Sequence, residues 1–135
     1  MIEVVNRQRI RKLNVVPWVK RVEKMLDVMG KTDSSVTVAF VSDKKIRELN
    51  RLFRRINKAT DVLSFPGDSN DGEMGDIAIS IETAARQAKQ SGLTLDGEIA
   101  QLLLHGLLHL SGYDHETDNG EMNRLELRLR KKLGI

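Results

Sequence analysis

The spacing of apolar positions changes period several times along the chain, and each change marks an element. IEVV at residues 2–5 reads as a short strand. Pro17 then suits the first turn of a helix, in which Val19, Val22, Leu26 and Met29 keep helical spacing until Gly30 stops it. SVTVAFV at 35–41 is rich in β-branched residues and predicts a strand, after which Ser42 or Asp43 can cap a helix running through Ile46, Leu49, Phe53 and Ile56. DVLSF and DIAIS flank the polar loop PGDSNDGEMG at 66–75 and predict two short strands joined as a hairpin. Ser80 caps a helix through Ala84, Ala85 and Ala88 to Gly92; Thr94 caps the next, which runs to about Ser111, with Gly112 as a left-handed stop. The last helix opens with Asp118 and Glu121 at capping-box separation and repeats Met122, Leu125, Leu129 and Leu133 on one face. The pattern predicts an α+β fold, a small mixed β-sheet of about four strands covered by about five helices.

A chain of 135 residues with 40% hydrophobic and 30% charged residues has room for one domain, residues 1–135. Its core can bury roughly two-thirds of the unfolded surface, so no metal is needed merely to fold, and a bound metal is functional. The absence of cysteine excludes disulfides, thiol nucleophiles, iron–sulfur clusters and cysteine-bearing zinc fingers. No continuous apolar stretch of secretory or membrane length occurs near the amino terminus, so a cytoplasmic location away from membranes is expected. The net charge of +3 hides an asymmetry: residues 1–60 carry 15 Lys/Arg against 6 Asp/Glu, residues 61–120 carry 2 against 11, and residues 121–135 carry 5 against 2. A basic part can attract a polyanion and an acidic, histidine-bearing part can hold a cation, although solvated helix faces give the same counts.

All three histidines fall in HGLLHLSGYDH, residues 105–115. On a helix His105 and His109 stand one turn apart on one face, so both imidazoles can reach one ion, and a turn at Gly112 can bring His115 back to the same point. Three neutral nitrogen ligands leave a fourth tetrahedral position open, which is the pattern of a catalytic zinc; Asp114, Glu116 or Asp118 as a fourth ligand would instead close a structural one. The spacing also matches the zinc-protease pattern H-E-x-x-H-x-x-G-x-x-H at every defined position except the glutamate, where this chain has Gly106. Glycine cannot take a proton from water, which argues against peptide hydrolysis by that route. A phosphodiester fits better, since an anionic phosphoryl group is served chiefly by positive charge and Arg51, Arg54, Arg55 and Lys58 are at hand.

These residues resemble the YbeY-type endoribonucleases of bacteria. HGLLHLSGYDH is similar to the family's signature throughout, TDVLSFP at 60–66 looks like its second block, Asn50 and Arg54 fall where the family keeps an asparagine and an essential arginine, and Met122 and Glu126 fit its C-terminal helix. Departures are Phe53 for the usual tyrosine, Ala59 for a frequent proline and Met74 for leucine. The resemblance implies a metal-dependent, single-strand-specific endoribonuclease acting in 16S rRNA 3′-end maturation and ribosome quality control, with RNA and the small ribosomal subunit or its assembly factors as partners. It implies that His105, His109 and His115 hold one divalent ion, zinc or similar, and that Arg54 is the catalytic arginine. Two rival expectations stand beside it: a zinc metallopeptidase-like hydrolase with an unconventional base, and a non-catalytic ribosome-assembly factor with a structural metal. The C-terminal run Arg128, Arg130, Lys131 and Lys132 is a further candidate for phosphate contacts.

Overall fold

The structure, a computed structural model, describes residues 1–113 and 119–135. Among the described residues the β-branched runs form four strands, β1 (Ile2–Asn6), β2 (Ser35–Val41), β3 (Val62–Pro66) and β4 (Glu73–Ser80), in the order β1-β2-β4-β3. The first three in that order are parallel, with Val4 opposite Val38 and Val38 opposite Ile77. β3 pairs antiparallel with β4, as the hairpin reading predicts, and forms one edge of the sheet. Five helices accompany the sheet: α1 (Val16–Val28), α2 (Asp43–Arg54), α3 (Ile81–Ser91), α4 (Leu95–Leu110) and α5 (Glu121–Leu133). The expected α+β architecture of four mixed strands and five helices is the one observed. Among the described residues no helix is long and apolar enough to cross a membrane.

Alternation along the strands sorts the side chains into two layers. Val36, Val38, Phe40, Ile77 and Ile79 join Trp18, Val22 and Leu26 of α1, Leu103, Leu104 and Leu107 of α4, and Met122 and Leu129 of α5 in the main core. Val41, Leu63 and Ala78 point the other way, against Ile46 of α2. Each fully buried leucine or isoleucine stabilises the fold by about 1.5–3 kcal/mol, so the leucines of α4 hold it on the sheet more strongly than any exposed polar contact can.

Capping residues do what their chemistry predicts: Ser42, Ser80 and Thr94 accept from the amides of Lys45, Thr83 and Gly97. Three expectations need correction. α1 buries Trp18, Val22, Met25 and Leu26, a face rotated from the one read through Val19 and Met29. α2 stops at Arg54 rather than reaching Ile56, because Arg55 takes a left-handed φ of 59° and the Asn50 amide holds the carbonyl of Lys58 at 2.9 Å, turning the chain back. α5 starts at Glu121 behind a glycine cap, Gly120, so Glu121 is its first residue and not the third of a capping box; Asp118 lies outside the described residues.

Asp43 ties the two capped helix starts together. Its carboxylate accepts from the hydroxyls of Ser80 and Thr83 and from the Arg86 guanidinium, the last at 2.8 Å. Burial pushes this carboxyl up, but the three donors and the positive charge outweigh it, and its pKa lies below the ordinary aspartate value. A folded-state pKa below the unfolded one means stability that is full above the unfolded pKa and lost as pH falls through the folded one. Asp43→Asn is therefore expected to lower thermal stability at neutral pH and to flatten the loss of stability below about pH 4 relative to the parent. Thermal midpoints of both proteins from pH 7 to pH 2 check this; parallel curves would show that Asp43 is not a source of the acid sensitivity.

Candidate functional site

Helix α4 approaches the sheet closely because residue 106 has no side chain. A Cβ on Gly106 would stand 3.1 Å from Ile77 Cδ1 and 3.2 Å from Ser64 Oγ. The Ser64 hydroxyl donates to the Gly106 carbonyl at 3.3 Å across the same gap. His105 and His109 are thereby carried over edge strand β3, where their Nε2 atoms lie 3.1 Å apart and their ring centroids 4.7 Å apart at an interplanar angle of 77°. The one-turn spacing read from the sequence thus brings two ring nitrogens to one point.

Helix α5 decides which nitrogen faces that point. The Glu126 carboxylate, only 10% exposed, lies 2.6 Å from Nδ1 of His105 through one oxygen and accepts from Arg130 at 2.7 Å through the other. Burial raises the carboxyl's pKa, but the hydrogen bonds and opposite charge of His105 and Arg130 prevail and keep it below the ordinary glutamate value. A carboxylate can only accept, so Nδ1 of His105 carries a proton, and it is the neutral ring in that tautomer that offers the Nε2 lone pair to a metal. Two imidazole nitrogens bound at 2.0–2.1 Å to a tetrahedral ion stand about 3.3 Å apart, so the pair fits a shared divalent ion. His115, Asp114 and Glu116 lie outside the described residues.

Around the pair is a cleft of about 730 Å³. Val62, Ser64 and Pro66 of β3 form one wall and His105, His109 and Leu110 the other, with Asp61, Gly112 and Tyr113 completing it. Arg54, at the end of α2, lines the same cleft, so the arginine and the two described histidines singled out from the sequence share one space although more than fifty residues separate them. The arrangement offers nitrogen ligands, a guanidinium and a partly apolar wall to an anionic substrate. Of the C-terminal basic run, Arg130 is engaged with Glu126 and is a brace of the site rather than a phosphate contact. The sequence placed Glu126 on the last helix but carried no signal that this helix packs beside His105; only the separation of four residues from Arg130 hinted at a pair.

Comparison with known proteins finds a sequence family and a solved structure similar to nearly the whole chain. A family model described as Endoribonuclease YbeY matches residues 2–134. The chain is 51% identical over 105 residues to Endoribonuclease YbeY of Nautilia profundicola, covering 77% of this chain and 76% of that protein. It is 40% identical over 118 residues to the protein of the same name from Aquifex aeolicus, covering 85% and 77%. Among solved structures, the solution structure of TM1509 from Thermotoga maritima superposes with a TM-score of 0.68 at 29% identity, covering 98% of this chain and 89% of that one.

The packing at Gly106 also bears on the peptidase alternative. The glutamate that a zinc protease carries at this position would be driven into Ile77 and Ser64. Gly106→Glu is expected to cost roughly 3 kcal/mol or more of stability, through overpacking and a buried carboxylate without a partner, and to confer no hydrolysis of casein. Chemical denaturation and a peptidase assay measure the two effects. A stable variant that cleaves casein would restore the peptidase reading.

Proposed function

The chain belongs to the endoribonuclease YbeY family, and from that premise we propose that it is a metal-dependent endoribonuclease that cuts single-stranded RNA in the cleft between β3 and the end of α4. The observation that carries the proposal is the meeting of two imidazole Nε2 atoms 3.1 Å apart in a cleft that Arg54 also lines. His105 and His109 would hold the ion, zinc or a similar divalent metal, with His115 as third ligand on the strength of the HGLLHLSGYDH spacing. The chemistry a divalent ion supplies there when bound is Lewis acidity toward a phosphoryl oxygen and a lowered pKa for water.

The chain's own groups supply the rest. Glu126 keeps the proton of His105 on Nδ1 and so keeps the ring aimed at the cleft. Arg54 can place two N–H donors on the non-bridging oxygens of a scissile phosphate, where charge accumulates in the transition state. Val62 and Leu110 reduce water at the walls, which strengthens both interactions. The ribosomal target, 16S rRNA at its 3′ end with the small subunit as partner, rests on the family resemblance and is part of the same proposal.

Arg54→Ala is expected to lower the cleavage rate of a single-stranded RNA about a hundredfold or more while metal content is unchanged and RNA affinity falls much less. Arg54→Lys restores only part of the rate, because an ammonium cannot reproduce the two-pronged contact. His105→Ala or His109→Ala removes both the metal, measured by elemental analysis, and chelator-sensitive cleavage. Equal trace cleavage by metal-loaded parent and Arg54→Ala would point to a contaminating nuclease and favour a binding factor with a structural metal.

A further inference from the structure

Large exposed apolar side chains are scattered along most of this chain but concentrate at one place. Of the eight among the described residues, three fall within five positions at the end of α2: Leu52 (56% exposed), Phe53 (66%) and Ile56 (50%). Single exposed apolar residues are ordinary, whereas a cluster marks a contact surface. The cluster exists because α2 stops at Arg54 and the chain turns through the left-handed Arg55, leaving Ile56 without a helix or core to cover it.

Phe53 is anchored on one side only. Its ring meets Phe65 edge to face, with centroids 5.2 Å apart and planes at 63°. Phe65 sits on β3 between Ser64 and Pro66, both of which line the cleft, and Arg54 of the cleft is the next residue along the helix. Phe65 itself points with Leu63 to the α2 face of the sheet, so the ring is held across edge strand β3 from the cleft, with most of its surface open. Arg51, Arg54, Arg55 and Lys58, all within five residues of it along the chain, are exposed, and among the described residues none of the four is in an ion pair. A flat apolar face rimmed by uncompensated positive charge matches a polyanion that itself carries flat apolar faces, which is the chemistry of an unpaired nucleotide. An acidic protein could satisfy the charges and cover the ring edge with apolar side chains, but it would not depend on a flat face, which only stacking requires.

We propose that Phe53, flanked by Leu52 and Ile56, is a stacking subsite for an unpaired nucleobase adjoining the phosphate that Arg54 holds. The proposal rests on the RNA-cutting reading and extends it. A base seated on Phe53 puts its own strand over the edge of β3 and into the cleft, while a base locked in a duplex has no free face to offer. The subsite thus selects single strands before any chemistry occurs.

The test uses the full chain and 2′-O-methyl oligonucleotides, which bind without a 2′-hydroxyl nucleophile. Trp18 is buried at 2% exposure, so Phe53→Trp adds an indole at the surface as a reporter. Its emission is expected to be quenched by oligo(A), less by oligo(U), and unchanged by a duplex of equal charge. Phe53→Ala is expected to weaken single-strand binding roughly tenfold at constant salt, Phe53→Tyr to retain it, and Phe53→Leu, apolar without a flat face, to fail to restore it. Unchanged affinity in Phe53→Ala, full restoration by Leu, or Phe53-dependent binding of polyglutamate as tight as that of RNA would overturn the subsite while RNA binding by the parent leaves the main reading standing. Failure of the parent to bind any single strand would overturn both.

Discussion

Helix α4 packs tightly on the sheet at position 106, which carries no side chain, and the geometry of the cleft follows from that contact. With Ile77 and Ser64 at 3.1–3.2 Å from where a Cβ would be, any side chain at 106 would force its neighbours to give way by a few tenths of an ångström. That closeness sets His105 and His109 directly above the edge strand and leaves room beside them for a cleft rather than a second layer of core. It also removes the position from which a protease's general base would act. The same glycine therefore argues against the protease route and fits the proposed one, in which positive charge placed at a phosphate does most of the work.

Close packing of α4 does not by itself orient an imidazole, and α5 supplies what is missing. A buried carboxylate between a histidine and an arginine is an expensive arrangement, since desolvation of the charges offsets much of their attraction. Arg130 keeps a buried Nε with no partner among the described residues, a further sign that stability is not what the contact optimises. Met122 and Leu129, buried in the main core, hold α5 in place. Glu126 then uses that fixed helix to set the tautomer of His105, so packing energy from one face of α5 is converted into orientation at the site.

Much of this was legible from residue order. Caps at Ser42, Ser80 and Thr94 and β-branched runs are local signals, and local structure followed them. The histidine pair was legible because helical periodicity alone fixes a one-turn relation. What resisted reading depended on tertiary contact: the true buried face of α1 is set by Trp18 meeting Phe40 edge to face across the core at 6.0 Å, and the Glu126 brace by the docking of α5. The capping box at Asp118 and Glu121 was misread for a different reason. Its spacing is correct, but a glycine directly before Glu121 accepts a φ of 102° that starts the helix later.

The end of α2 shows how a misread boundary and a functional feature arise from one cause. Apolar spacing from Leu49 through Phe53 to Ile56 continues the helical pattern, and nothing in that pattern predicts a stop. The stop comes from Arg55 in a conformation that costs a non-glycine residue about 1–2 kcal/mol, at a position where α3 and α5 use Gly92 and Gly134. Had the helix run on, Ile56 would continue the apolar stripe and Arg54 would be an interior helical residue rather than the last one. Ending there releases the chain so that Arg54 lines the cleft and Phe53 remains on the outer side of β3. The strain is local and the core is not involved, so a fold held by the leucines of α4 can tolerate it. For backbone geometry alone a glycine would serve better at that cap, and what Arg55 adds is a further exposed positive charge directly after Arg54.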